Sequence, residues 1–204
     1  MKSALTFSCL LVFATQVRAI SIVYETEATF LGAIDAGYYL NEFDSITSYG
    51  DLGESLSFSG GNYAYTVTSP GGGLYGVPQF PDPNWALSTW NYDNPLFVSF
   101  TNSNVTAVGG LFSLTNTLGY EVGGSVKVVL SDGTTREFDV GSFRGFTSDG
   151  ATITSLTLST EKENAFATMD HFYVGAAVPD GGTTLVLLGG ALTGLGLLRR
   201  RFCG

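Results

Sequence analysis

The central region of this 204-residue chain lacks cysteine: Cys9 and Cys203 are the only two, and both lie in terminal hydrophobic segments. A disulfide framework and cysteine-rich zinc sites are thereby excluded from the body. Histidine is almost absent as well. His171 stands alone, so a multi-histidine zinc site is excluded. Neither Gly-x-Ser-x-Gly nor His-Glu-x-x-His occurs anywhere. Positive charge is scarce where a nucleic acid would need it. Between residues 20 and 180 only Lys127, Arg136, Arg144 and Lys162 oppose all 18 acidic residues, which leaves that region at −14. Such a body is repelled by nucleic acid and by anionic lipid headgroups. Neutral glycans and divalent cations remain as partners, and nucleic acid is not expected.

What is abundant points to strands. Glycine reaches 27 residues, charged residues make up only 13%, and Ser, Thr, Tyr, Phe and Val recur throughout. That mix favours short strands joined by glycine turns over a helical bundle. Aromatics at 13% suffice for a real core, which argues against global disorder. A first strand is expected over 21–24. Thr26 then caps one short helix over 27–36, with Phe30, Leu31 and Ile34 on one face. Strands follow over 39–43, 55–59, 62–68, 96–100, 105–114, 153–159 and 166–174. The segment 70–94, with Gly71-Gly72-Gly73, four prolines and both tryptophans, reads as a long irregular loop with a short strand near 85–88. The clearest hairpin surrounds Ser131-Asp132-Gly133-Thr134, where Asp-Gly between alternating strands predicts a type I′ turn. The expected fold is an all-β antiparallel sandwich or jelly roll.

Both ends read as processing segments. Lys2, an apolar run from Ala4 to Ala14, and Val17-Arg18-Ala19 form the pattern of a secretory signal peptide cleaved after Ala19, with an uncleaved anchor as the alternative. At the other end Val178-Pro179-Asp180-Gly181-Gly182 precedes an apolar stretch over 183–198 and then Arg199-Arg200-Arg201. The stretch is short against the roughly 20 residues of a full transmembrane helix, and its glycines permit close helix packing. The arginines stop transfer and remain cytoplasmic, which places the body outside. Domains are accordingly expected at 1–19, 20–176 and 177–204.

This tripartite end resembles the PEP-CTERM class of sorting signals, nearest its VPDSG variant, although Gly181 stands where serine is usual. The resemblance implies processing by an exosortase, a membrane-embedded cysteine transpeptidase, in a bacterium that makes extracellular polysaccharide. An ordinary single-pass anchor is the alternative. The body is similar to one group of exported proteins of that class through Asn41-Glu42-Phe43-Asp44, Val108-Gly109-Gly110, Ser131 to Thr134, Phe143 to Asp149, Ile153 to Leu158 and Asp170 to Gly175. That resemblance implies a jelly-roll β-sandwich like those of carbohydrate-binding modules and carries no implication of a catalytic activity.

Two candidate sites emerge. Strand alternation puts Asp170 on the face of Phe166, Phe172 and Val174, so it points inward if that face is the core. A buried carboxylate requires a partner: either Arg144, or a structural Ca²⁺ shared with Asp44, with Glu42 as the substitute ligand. The second site is the aromatic loop. Tyr75, Trp85, Trp90 and Tyr92 either stack on sugar rings or cap the core. Nothing among the acids selects a catalytic pair, so the chain is expected to be a non-enzymatic surface or extracellular-matrix protein. A lectin-like glycan-binding module is the alternative, and a glycan hydrolase is the weakest reading. The expected partners are an exosortase-type enzyme, the membrane through the C-terminal helix, and extracellular polysaccharide.

Overall fold

The computed structural model describes residues 20–78, 85–101 and 104–178. They form fourteen strands and one short helix: β1 (Ile20–Tyr24), α1 (Glu27–Leu31), β2 (Tyr39–Asn41), β3 (Gly50–Gly53), β4 (Ser55–Gly60), β5 (Tyr63–Thr68), β6 (Leu74–Pro78), β7 (Trp85–Thr89), β8 (Leu96–Phe100), β9 (Ala107–Thr115), β10 (Ser125–Leu130), β11 (Thr135–Asp139), β12 (Phe143–Asp149), β13 (Ser155–Ser159) and β14 (Phe166–Gly175). One sheet runs β1-β12-β9-β14-β7-β6-β3, with β2 also on β14; the other runs β11-β10-β13-β8-β5-β4. Every pairing among these strands is antiparallel. The all-β sandwich expected from the composition is present.

Period-two patterning builds the layer between the sheets. In β5, Tyr63, Tyr65 and Val67 are buried while Ala64, Thr66 and Thr68 are less so. Phe172 of β14 packs its ring against Tyr65 at 5.3 Å and Phe100 at 6.4 Å, which joins the two sheets at their centre. A second, smaller cluster covers the outer face of the larger sheet. There Phe30 of α1 sits 5.5 Å from Phe143 and 6.0 Å from Tyr173.

Some expected boundaries shift, for identifiable reasons. Thr26 caps α1 as expected, its hydroxyl accepting from the Thr29 amide at 3.3 Å. The helix nevertheless stops at Leu31 instead of 36. The following residues commit their backbone to the end of the body: the Asp35 amide donates to Ala176 at 2.8 Å, and Val178 donates to Ala33 at 2.9 Å. The hairpin turn is not type I′, because of its loop residues only Gly133 has positive φ, at 91°. Leu130 donates to Thr134 across a three-residue loop, and left-handed glycine at its last position is the usual alternative. The sequence reading omits β3, β6 and β12.

Candidate functional site

The edge of the larger sheet formed by β7, β6 and β3 gathers three aromatic rings. Tyr75 lies on β6, Tyr49 immediately precedes β3, and Trp90 immediately follows β7, its amide donating to Gly73 at 2.8 Å. Tyr75 meets Tyr49 edge-on at 4.9 Å and Trp90 at 4.8 Å, so the rings form a ladder. The outer rungs are open to solvent: Trp90 is 55% exposed and Tyr49 47%. The Tyr49 hydroxyl donates to the Thr117 carbonyl at 2.6 Å, which fixes that ring. Partial desolvation and the adjacent Tyr49 hydroxyl raise the Tyr75 phenol above its ordinary pKa.

Beneath the ladder is a cavity of about 200 Å³ with a floor of hydroxyls. Thr168 on β14 donates to Ser88 Oγ at 2.9 Å and lies 2.9 Å from Thr115 Oγ1. Ser88 and Thr115 line this cavity and Thr168 lies behind them; Thr89 is in the lining too, is buried, and its Oγ1 has no hydrogen-bond partner among the described residues. On the other side of Trp90 is a wider cleft of about 580 Å³, lined by Asp51, Glu54, Ser69 and the turn Gly71-Gly72-Gly73. Ser69 is buried, and its Oγ likewise has no partner among the described residues. Glycine is required in that turn: Gly71 has φ 79°, and a Cβ on Gly72 would come within 2.6 Å of Asn94 Nδ2.

Two of the four expected stacking residues, Tyr75 and Trp90, therefore meet in one cleft. Tyr92, 38% exposed, packs edge-on to Phe166 at the cavity margin. Trp85 does not join the ladder. It opens β7 opposite Pro78 and packs against the inter-sheet core. Tyr49 carried no sequence signal, since its position depends on β3, a weak strand of glycine and aspartate.

Around Asp170 the face assignment changes. Ala167 and Met169 lie in the inter-sheet core, and so do Phe172 and Val174. Unbroken alternation cannot place both pairs on one face. The register shifts between Asp170 and Tyr173, and His171 takes φ 49°. This bulge reverses the phase. Asp170, 5% exposed, thus shares its face with Thr168 and not with Phe172. Arg144 donates to Ser142 Oγ and the Phe143 carbonyl at 2.8 Å each and lies 5.0 Å over the Phe138 ring. Asp44 is exposed and lines a shallow cleft beside β2 with Glu42; Asp170 is not part of that cleft. Among the described residues no group of three or more His, Cys, Asp and Glu side chains is arranged to hold a metal ion. His171 instead bridges two glutamates, with Nε2 3.4 Å from Glu27 and Nδ1 3.4 Å from Glu42, while the Tyr173 hydroxyl donates to Glu27.

At the end of the body, Ala177 donates to Thr106 Oγ1 at 2.8 Å and pairs with Ile34, so the chain is held against the sandwich up to Val178. Pro179, Asp180, Gly181, Gly182, the stretch 183–198 expected to form a transmembrane helix, Arg199, Arg200 and Arg201 lie outside the described residues, as does the segment 1–19. Among the described residues no helix is long and apolar enough to cross a membrane. No curated protein and no solved structure matches this chain. One family model does match, that of the VPDSG-CTERM motif, over residues 177–202. The chain thus ends in a PEP-CTERM-like sorting signal, which implies an exported, surface-targeted protein.

Proposed function

We propose that the chain is a non-enzymatic surface or extracellular-matrix protein whose C-terminal signal is processed by an exosortase-type enzyme. The match over 177–202 carries this reading. The apolar stretch holds the exported body at the outer face of the inner membrane until processing releases it. The segment from Val178 to Gly182 is where the enzyme acts. Mass spectrometry of the surface protein from native cells tests this. A mature C-terminus within that segment is expected; an intact Gly204 overturns it.

A specific observation favours a second role for the jelly-roll-like body, recognition of matrix polysaccharide. The ladder of Tyr49, Tyr75 and Trp90 borders a cavity with a hydroxyl floor. Flat aromatic faces carry negative potential that attracts sugar C–H groups, and hydroxyls fix ring orientation. Binding is favoured over cleavage because a glycosidase needs two carboxyl groups flanking the scissile bond. Asp51 and Glu54 both come from the β3–β4 segment. A glycan array with the full chain in detergent tests this role: Trp90→Ala is expected to abolish binding, and unchanged binding would refute the site.

A further inference from the structure

Trp90 is the shared wall of two cavities of unlike chemistry. Among the described residues, the cavity under the ladder is lined by neutral groups, including the rings of Tyr49 and Tyr75 and the hydroxyl-bearing Ser88, Thr89 and Thr115. The cleft on the other side presents the exposed carboxylates of Asp51 and Glu54. The Asp51 carboxylate is held in place, since Oδ1 accepts the Gly53 amide at 2.8 Å. Each cavity also has in its lining one buried residue whose hydroxyl has no hydrogen-bond partner among the described residues, Thr89 in the first and Ser69 in the second. Buried polar atoms without partners are uncommon and carry a desolvation cost. One indole that is 55% exposed and lines both cavities marks a site longer than a single ring.

We infer that the cleft binds a polysaccharide chain laid across the face of Trp90, with a neutral sugar in the hydroxyl-floored cavity and an amino sugar beside it, its ammonium against Asp51 and Glu54. This rests on the glycan-recognition reading of the same site. The tryptophan face favours both neighbours, since its quadrupole attracts sugar C–H groups and cations alike. The two carboxylates distinguish them. An N-acetylated amine carries no charge and gains nothing from either acid, and an anionic uronic acid is repelled by both.

The test uses the full chain in detergent and three tetrasaccharides: of glucosamine, of N-acetylglucosamine and of glucose. At low salt and neutral pH, calorimetry is expected to show the glucosamine tetramer bound at least about tenfold more tightly than either neutral one, a difference of about 1.4 kcal/mol. Raising the salt should erase the advantage, because exposed charge pairs are screened. The double variant Asp51→Asn/Glu54→Gln should bind all three alike, and Trp90→Ala should bind none. All three residues are exposed, and unchanged melting temperatures will show that the variants remain folded. Equal affinity for charged and neutral tetramers in the wild type overturns the amino-sugar assignment while leaving glycan recognition standing. A preference that persists in the double variant overturns it too, because the attraction would then come from the general negative charge of the body. Failure of every tetramer to bind overturns the assignment and the reading beneath it together.

Discussion

Gly145 shows how little room α1 has. It lies on β12 directly beneath Phe30, and a Cβ built there would come within 2.3 Å of Phe30 Cδ2 and 3.0 Å of its Cβ. The ring cannot swing aside, because it also packs against Tyr24, Phe143 and Tyr173. Gly145→Ala is therefore expected to cost about 1–3 kcal/mol through overpacking, read as a lower midpoint in chemical denaturation with the cooperativity unchanged. Asp132 makes a different case. Its carboxylate accepts from Ser21 Oγ at 2.5 Å and from the Thr134 amide at 2.8 Å, tying β1 to the β10–β11 loop. Partial burial opposes its charge, yet these hydrogen bonds outweigh it and hold the pKa below the ordinary carboxylate value. A group depressed on folding contributes stability above its unfolded pKa, near 3.9, and loses it as pH falls through the lower folded value. Asp132→Asn should thus be less stable than wild type at neutral pH. The gap should narrow below about pH 5 and close under the folded pKa. A gap that stays constant in urea titrations down to strong acid would remove the carboxylate from the account. The sequence showed Asp132 only as a turn residue and Gly145 not at all as a packing site, since the Phe30 and Ser21 contacts lie more than 100 positions away in sequence. Trp90 was legible, because an aromatic in a glycine- and proline-rich stretch has few places to be buried.

Among elements, α1 is too short to be stable alone, since isolated helices of fewer than about 12 residues are marginal in water. It exists because Phe30 inserts into the outer cluster of Ala107, Phe143 and Tyr173. Truncating that anchor removes the reason for the helix. Phe30→Ala is expected to lower stability by about 3–5 kcal/mol and to expose the amides near 33–35 and 176–178 to hydrogen exchange, while the inter-sheet amides of β5 and β8 stay protected. Uniform loss of protection would mean that the helix and the sandwich unfold as one unit. The element boundaries follow the same logic. Strands with a clean alternation, such as β5, β8 and β10, were readable to within a residue or so, because burial on one face imposes the period. The strands β3 and β6 were not, because one is Gly-Asp-Leu-Gly and the other ends in Pro78. Propensity alone predicts loops there, and pairing at the sheet edge overrides it. The bulge in β14 was equally invisible. It occurs where that strand changes partner, from β7 at Thr168 and Met169 to β2 at Phe172 to Val174. A one-residue offset there reverses every face assignment that follows.

At the scale of the whole molecule, the order of the larger sheet separates the two functional ends. The chain enters the body on β1, and Val178 lies with Ile22 and Tyr24 around one groove at that edge. The aromatic ladder sits at the other edge, on β6, β7 and the approach to β3. Four to six strand spacings lie between them, about 19–29 Å at about 4.8 Å each. The connection to the sorting signal has no slack on the body side, because Ala177 and Val178 are hydrogen-bonded to Thr106 and Ala33. If the anchor proposed above holds the body through Val178, the body is expected to stand with β1 toward the bilayer and the cleft away from it. The negative charge of the body reinforces this stance, since anionic headgroups repel it. Fluorescence quenching tests the orientation. The chain has only two tryptophans, so Trp85→Phe leaves Trp90 as the sole reporter. In nanodiscs containing headgroup spin-labelled lipid, Trp90 should be quenched little by the lipid and strongly by an aqueous quencher, as its 55% exposure requires. A reporter at the opposite edge, Ile22→Trp in a background without the other two, should respond to the lipid label. Equal lipid quenching at both positions would mean that the sandwich lies on its side, and the cleft could then reach matrix polysaccharide only after release from the membrane.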